Sequence, residues 1–127
     1  MRSIPGIRLS LLALVCAGLA ACSGDSPEAA YKGFYYALAQ GKLDEAQGYL
    51  TNSVNQMYGG KVRMGLANAA QQIQKCGGIK DVLVELKGEG DIRSGKGMVL
   101  FKGDCPQETS DVMLIREDRK WKISMGR

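Results

Sequence analysis

Cysteine and tyrosine are the side chains through which this chain could do chemistry, because it has no histidine. It has four cysteines and five tyrosines among its 127 residues. Histidine is the usual general base near neutral pH and the commonest metal ligand, so its absence removes the Ser-His-Asp and Cys-His mechanisms and most zinc sites. We therefore expect no catalytic residues of these types, no bound metal and no cofactor. Catalysis by tyrosines and carboxylates stays open.

Cys22 ends a stretch whose composition is typical of an export signal. Residues 1–8 contain two arginines and no acid, and the apolar run that follows is shorter than the roughly 20 residues that a membrane-spanning helix needs. The run ends in Leu19-Ala20-Ala21-Cys22, which resembles the lipobox of bacterial lipoproteins, where the thiol forms a thioether to diacylglycerol. We expect a signal peptide over residues 1–21, cleavage between Ala21 and Cys22, and lipidation of Cys22. The alternative is a plain secretory signal in which this cysteine has no role.

The same resemblance indicates where the mature chain resides. Ser23 follows the cysteine, whereas lipoproteins retained at the inner membrane of enteric bacteria have aspartate there, so we expect the outer membrane, facing the periplasm. Residues 22–26 would form a polar tether and residues 27–127 a single domain. Without Arg2 and Arg8 the chain keeps 15 basic and 13 acidic residues, a balance that argues against nucleic acid as a partner. The expected partners are the membrane, through the lipid anchor, and an envelope protein or a small ligand.

Cys76 and Cys105 are the other two cysteines that remain after signal cleavage. Outside the cytoplasm such a pair usually forms a disulfide. Cys76 precedes the first predicted strand and Cys105 follows the second, so a hairpin brings both to the same edge of the sheet. A redox pair would need close spacing such as Cys-x-x-Cys, which is missing. We predict a structural disulfide, with two free thiols as the alternative.

The segment Gly90–Gly97 nearly matches the phosphate-binding pattern G-x-x-x-x-G-K-[ST]. Gly97 stands where a hydroxyl would hold magnesium, and the segment joins two predicted strands instead of leading into a helix. A helix N-terminus is what gives that loop its affinity for anions. We therefore interpret the glycines as part of a hairpin and expect no nucleotide as a partner.

The hydrophobic periodicity changes once along the mature chain, from helical to alternating. Ser26 and Pro27 predict the start of a helix that Gly41 ends. The predicted helices are 27–40, 43–50 and 61–75, with a break at 51–53, and the predicted strands are 79–87, 96–102, 111–116 and 120–125. Helices followed by strands predict an α+β fold in which N-terminal helices pack on an antiparallel four-stranded sheet. Trp121 alternates with lysines in the last strand, so we expect it to be buried against the first helix.

Two segments of the chain resemble small bacterial domains of the nuclear transport factor 2-like superfamily. Residues 26–51, from Ser26-Pro-Glu-Ala-Ala-Tyr31 to Tyr49-Leu50-Thr51, are similar to the first two helices, with Phe34 at the place of a common aromatic residue. The closing Arg119-Lys-Trp-Lys-Ile-Ser124 is similar to the last strand. The resemblance implies a cystatin-like cone, in which helices curl against a curved sheet. Many such domains belong to exported lipoproteins without an assigned function.

The resemblance also implies a conical cavity, which enzymatic members of the superfamily line with tyrosines and aspartates. The candidate pocket residues here are Tyr31, Tyr35, Tyr49 and Trp121, with Asp44 as a further candidate. Aromatic residues at helical spacing are equally typical of a core, which is the interpretation that we favour. We therefore expect a non-catalytic domain that binds a ligand or a protein. The alternatives are a dehydratase or isomerase that uses tyrosine and aspartate in the cone, and a structural accessory of an envelope complex.

Overall fold

Four helices are followed by four strands in the computed structural model, which describes residues 26–124. The helices are α1 (Pro27–Ala39), α2 (Leu43–Gly48), α3 (Asn52–Tyr58) and α4 (Gly60–Lys75), and the strands are β1 (Ile79–Lys87), β2 (Ile92–Phe101), β3 (Glu108–Glu117) and β4 (Lys120–Ser124). This order confirms the predicted α+β architecture. The signal peptide over residues 1–21, its cleavage between Ala21 and Cys22 and the lipidation of Cys22 lie outside the described residues.

Helix α1 begins and ends at the residues that the sequence indicated. The Ser26 hydroxyl accepts a hydrogen bond from the Ala29 backbone N–H at 3.0 Å, and Pro27 occupies the first helical position. Gly41 lies just beyond the helix with φ of 76°, a conformation that glycine adopts without strain. The ends of the helix are therefore defined locally, and its buried face can be positioned on the sheet.

Thr51 begins a helix that the sequence analysis missed. Its hydroxyl accepts a hydrogen bond from the Val54 backbone N–H at 3.2 Å, and the residue is 1% exposed. The predicted break at residues 51–53 is therefore wrong, because a threonine in this position caps helix α3. The Thr51 backbone N–H also donates to the Ile123 carbonyl oxygen at 3.1 Å, which attaches the helical layer to the edge strand β4.

The sheet is an antiparallel meander with strand order β1-β2-β3-β4. Its helix-facing side carries the cross-strand pair Val82 and Val99 and the pair Leu114 and Ile123, all of them buried. Strands β2 and β3 both begin earlier than predicted, so the Gly90–Gly97 segment runs into strand β2 and leads into no helix. Asp118 and Arg119 both have positive φ, at 51° and 68°, as expected for the tight turn predicted between the last two strands.

Trp121 is buried, at 7% exposure, as its alternation in strand β4 predicted. The guanidinium carbon of Arg93 lies 5.2 Å from the centre of the indole ring and that of Arg116 lies 5.9 Å away. Both distances fall within the range of cation–π attraction. The indole is thus part of the core at the end of the sheet, with two cations beside it.

Gly97 allows helix α1 to approach strand β2 closely. A β-carbon built on Gly97 would lie 2.8 Å from Cε2 of Tyr31, and closer still to the Cζ and hydroxyl oxygen atoms of that ring. Tyr31 is 3% exposed. Its ring therefore occupies the space that any larger residue would need at this point of the strand.

We expect the substitution Gly97→Ala to destabilise the fold by about 1–3 kcal/mol, the usual cost of overpacking a core. The Tyr31 ring would have to leave its position to accommodate the new methyl group. Thermal unfolding by circular dichroism measures the effect, with the exposed Ser94→Ala in the same strand as the control. The loss of stability caused by Gly97→Ala should be smaller in a protein that also carries Tyr31→Leu. A melting temperature of Gly97→Ala at or above that of the unmodified protein would contradict this packing.

Candidate functional site

A cavity of about 750 Å³ lies between the helical layer and the sheet. Its deep wall consists of buried apolar side chains from the helical layer and from strand β2: Leu38, Leu50, Val54, Leu66, Ile73 and Val99. Pockets that hold small molecules usually measure about 300–1,000 Å³ and are lined mainly by apolar side chains. The size and the lining of this cavity therefore fit a small apolar ligand.

The mouth of the cavity is formed by those wall residues that solvent reaches. On the helical side these are Tyr58, Lys61, Gly65 and Gln72, and on the sheet side they are Pro106 and Gln107 of the loop between strands β2 and β3 and Glu108, the first residue of β3. Lys61 and Glu108 are the charged side chains on the wall, and both are exposed. Charge is thus confined to the mouth, and the deep wall is uncharged.

Tyr35 is the tyrosine that helix α1 turns towards the cavity. Its ring packs edge-to-face against Tyr31 and Phe34, with centroid distances of 5.1 Å to each. Burial raises the pKa of the Tyr35 hydroxyl well above its ordinary value, and the neighbouring Tyr31 and Glu108 add to this effect. The hydroxyl therefore stays protonated at neutral pH, so it can donate a hydrogen bond but is a poor general base.

The structure places one of the four candidate pocket residues on the wall of this cavity and the other three elsewhere. Tyr35 lies on the cavity wall, whereas Tyr31, Tyr49 and Trp121 do not. Tyr31 packs under strand β2 at Gly97, and the Tyr49 hydroxyl lies where a β-carbon of residue 33 would be. Each of these rings fills space beside the sheet or beside helix α1, as core residues do.

Asp44, the further candidate, also lies away from the cavity. Its carboxylate forms an ion pair with Arg63, in which both side chains are more than half exposed. Exposed pairs of this kind contribute little to stability. The structure therefore does not bring Asp44 to Tyr35, and these two residues do not assemble the tyrosine–aspartate arrangement of an enzymatic cone.

The part of the cavity wall that was not predicted from the sequence is a stripe of residues along helix α4. It consists of Lys61, Gly65, Ala69, Gln72 and Cys76, spaced three or four residues apart and all on the cavity wall. This spacing places them on one face of a helix. Small residues at the middle of such a face were the available signal, because they leave space where a core helix would carry large side chains.

The disulfide between Cys76 and Cys105 closes one side of the cavity. The two Cα atoms lie 5.4 Å apart, and both residues are on the wall. The same loop is held by two backbone hydrogen bonds, from the Gly103 N–H to the Cys76 carbonyl at 2.8 Å and from the Lys102 N–H to the Gly78 carbonyl at 3.0 Å. The disulfide thus fixes the part of the loop that borders the mouth.

The arrangement of the elements agrees with a solved structure from Campylobacter jejuni. That protein is provisionally described as an NTF2-like transpeptidase, where NTF2 stands for nuclear transport factor 2. The alignment has a TM-score of 0.62 and 24% sequence identity, and it covers 76% of this chain and 94% of the other. The domain has the NTF2-like fold. No model of a known protein family matches the chain, and no curated protein does.

Neither a cluster of metal-ligating side chains nor a membrane-spanning helix is found in the described part of this NTF2-like domain. Within residues 26–124, no three Cys, Asp or Glu side chains are grouped so that they could hold a metal ion. In the same part of the chain, no helix has the length and hydropathy needed to span a membrane.

We expect replacement of both Cys76 and Cys105 by serine to lower the free energy of unfolding by about 3.5 kcal/mol. The reason is that the disulfide closes a loop with a sequence separation of 29 residues, which restricts the unfolded chain. Thermal unfolding without reductant measures the loss. Dithiothreitol should lower the melting temperature of the unmodified protein by a similar amount and leave that of the double variant unchanged. A melting temperature of the unmodified protein that reductant does not alter would contradict this role.

Proposed function

We propose that this chain is a lipid-anchored protein of the bacterial cell envelope whose NTF2-like domain binds a small apolar ligand in its cavity. The observation that carries the ligand-binding function is the cavity of about 750 Å³ with a deep wall of buried apolar side chains. Burial of apolar ligand surface against such a wall releases about 25 cal/mol per Å². An apolar ligand therefore gains most from this site.

The composition of the wall favours binding over catalysis. Among the described residues that line the cavity there is no serine or threonine, and the two cysteines are joined in the disulfide. A transpeptidase, the description given to the Campylobacter protein, transfers a peptide group and needs an activated nucleophile. The wall tyrosine Tyr35, like any tyrosine, is protonated at neutral pH, and burial raises its pKa further, so it is not a suitable base.

The location in the envelope is proposed from the sequence of the first 23 residues. A basic start, a short apolar run and Leu-Ala-Ala-Cys22 support export and lipidation, and Ser23 supports sorting to the outer membrane. The Cys76–Cys105 disulfide is consistent with an oxidising compartment, where such bonds persist. The domain would then face the periplasm, held at the membrane by its acyl chains.

We expect Gly65→Leu to weaken binding of the fluorescent apolar probe N-phenyl-1-naphthylamine about tenfold, which is about 1.4 kcal/mol. Gly65 lies on the cavity wall, and a β-carbon built on it meets no atom within 4 Å, so the larger side chain can enter the free space. Helix α4 should keep its stability, because leucine has a higher helix propensity than glycine. Fluorescence titration gives the dissociation constant, and thermal unfolding checks the fold.

Gly48→Leu is the matched control for this experiment. Gly48 also lies in a helix with open space around its β-carbon position, but it is not on the cavity wall. The control should therefore bind the probe as the unmodified protein does. Equal affinities of the Gly65 and Gly48 variants, or no binding by the unmodified protein, would count against the cavity as the ligand site.

We expect Cys22→Ser to abolish incorporation of radiolabelled palmitate and to leave an uncleaved or mislocalised precursor. The thiol of residue 22 is the group that would accept the diacylglycerol, and serine cannot form the thioether. Cys16→Ser is the control, because that cysteine lies within the segment expected to be removed. Labelled palmitate on the Cys22→Ser protein would show that the lipid is attached elsewhere.

A further inference from the structure

Three exposed apolar side chains lie at the mouth of the cavity or next in sequence to residues of the mouth. Met57 is 73% exposed, Tyr58 43% and Met64 65%. Tyr58 lies on the cavity wall, Met57 precedes it in the chain, and Met64 precedes the wall residue Gly65. We call Met57, Tyr58, Lys61 and Met64 the rim. The rim therefore exposes apolar surface to solvent close to the mouth.

From this rim we infer that the mouth of the cavity docks on an anionic lipid bilayer and that the apolar ligand is an acyl chain taken from it. The inference rests on the proposed function, since it names both the ligand class and the surface that supplies it. An acyl chain that moved from a bilayer into the cavity would meet apolar side chains at the rim and again on the deep wall. Its exposure to water, which opposes transfer of a lipid out of a membrane, would be reduced.

The residue types of the rim suit a bilayer surface. Methionine is unbranched and flexible, so it can adapt to a mobile apolar environment. Tyrosine and lysine combine an apolar body with a polar end, and they therefore favour the boundary between acyl chains and water. A protein-binding site would more often present rigid aromatic anchors in a preformed pocket.

The charge of the segment that contains the rim favours an anionic bilayer over a neutral one. Residues 46–80 contain four basic residues and no acidic residue. Lys61 belongs to the rim, and Arg63 is paired with Asp44 on the neighbouring helix α2. The carboxylate at the mouth, Glu108, belongs to the sheet side, where it is the first residue of strand β3. The helical side of the mouth therefore carries the basic residue Lys61 and is the side that anionic lipid headgroups would attract.

The proposed lipid anchor would keep the rim within reach of such a surface. The domain begins at Ser26, and only three residues, which make four Cα–Cα steps, separate it from the proposed lipidation site at Cys22. A chain of this length spans at most about 14 Å. A domain held that close to a bilayer meets its surface continuously, so even a weak interfacial contact would be populated.

Tryptophan placed on the rim tests the inference in the full-length protein, reconstituted with vesicles that contain anionic lipids with brominated acyl chains. Such lipids quench tryptophan that enters the apolar layer. In Met57→Trp and Met64→Trp, the emission added by the new tryptophan should fall about twofold. The buried Trp121 gives the same background in every variant. Neutral vesicles should quench less than anionic ones.

Leu83→Trp is the matched control. Leu83 is an apolar residue with 45% exposure, located on strand β1 and outside the cavity wall. Equal quenching at positions 57, 64 and 83 would mean that the anchor alone brings the domain near the lipid, and it would overturn the inference. A blue shift of the rim tryptophans that depends on protein concentration without vesicles would show that a second copy covers the rim, with the same consequence.

Ligand binding in the cavity and contact of the rim with a bilayer are tested separately. If the unmodified protein binds N-phenyl-1-naphthylamine and Gly65→Leu does not, but the rim tryptophans are not quenched, then the cavity binds a ligand from another source and only the bilayer inference fails. If the probe does not bind and the rim is not quenched, the proposed function fails as well. Quenching at the rim together with probe binding that Gly65→Leu weakens supports both.

Discussion

The close approach of Tyr31 to the backbone of strand β2 at Gly97 determines where the first helix lies on the sheet. Interiors are packed as densely as crystals, so a ring that occupies the place of a β-carbon fixes the local separation of the two layers. Tyr35 follows one helical turn later on the same face and is thereby placed on the cavity wall. The position of the functional surface of helix α1 thus depends on a contact made by a glycine and a core tyrosine.

The cavity persists because helix α4 presents small residues where large ones would fill the space. Gly65 and Ala69 lie in the middle of its cavity-facing stripe. An unfilled apolar volume is destabilising, since its lining loses contacts that a filled core would make. The Cys76–Cys105 disulfide offsets part of this loss by restricting the unfolded chain, and it does so at the wall of the cavity itself. The cavity, which lowers stability, and the disulfide, which raises it, therefore lie together, as expected where a cavity is retained for binding.

The sequence was sufficient to predict the order of the elements, the caps of helix α1 and the partner of Cys76. Each of these depends on neighbouring residues or on the path of a single hairpin. It was not sufficient for the pocket, because assigning Tyr31 and Tyr35 to core or cavity requires the position of the helix on the sheet. Helix α3 was missed for another reason: seven residues give too few turns for a periodic signal, and a threonine starts helices and turns alike.

Two independent parts of the chain both favour an apolar ligand. The proposed lipid anchor, which rests on the resemblance of the first 23 residues to lipoproteins, would hold the domain at a membrane, and residues 26–124 provide an apolar cavity with charge only at its mouth. A polar metabolite of the periplasm would lose its hydration in such a cavity and would find few hydrogen-bond partners on the deep wall. An apolar molecule avoids this loss, but it is scarce in water and abundant in the bilayer. A domain that is tethered to a bilayer and carries an apolar rim beside its cavity is therefore positioned where its ligand is concentrated.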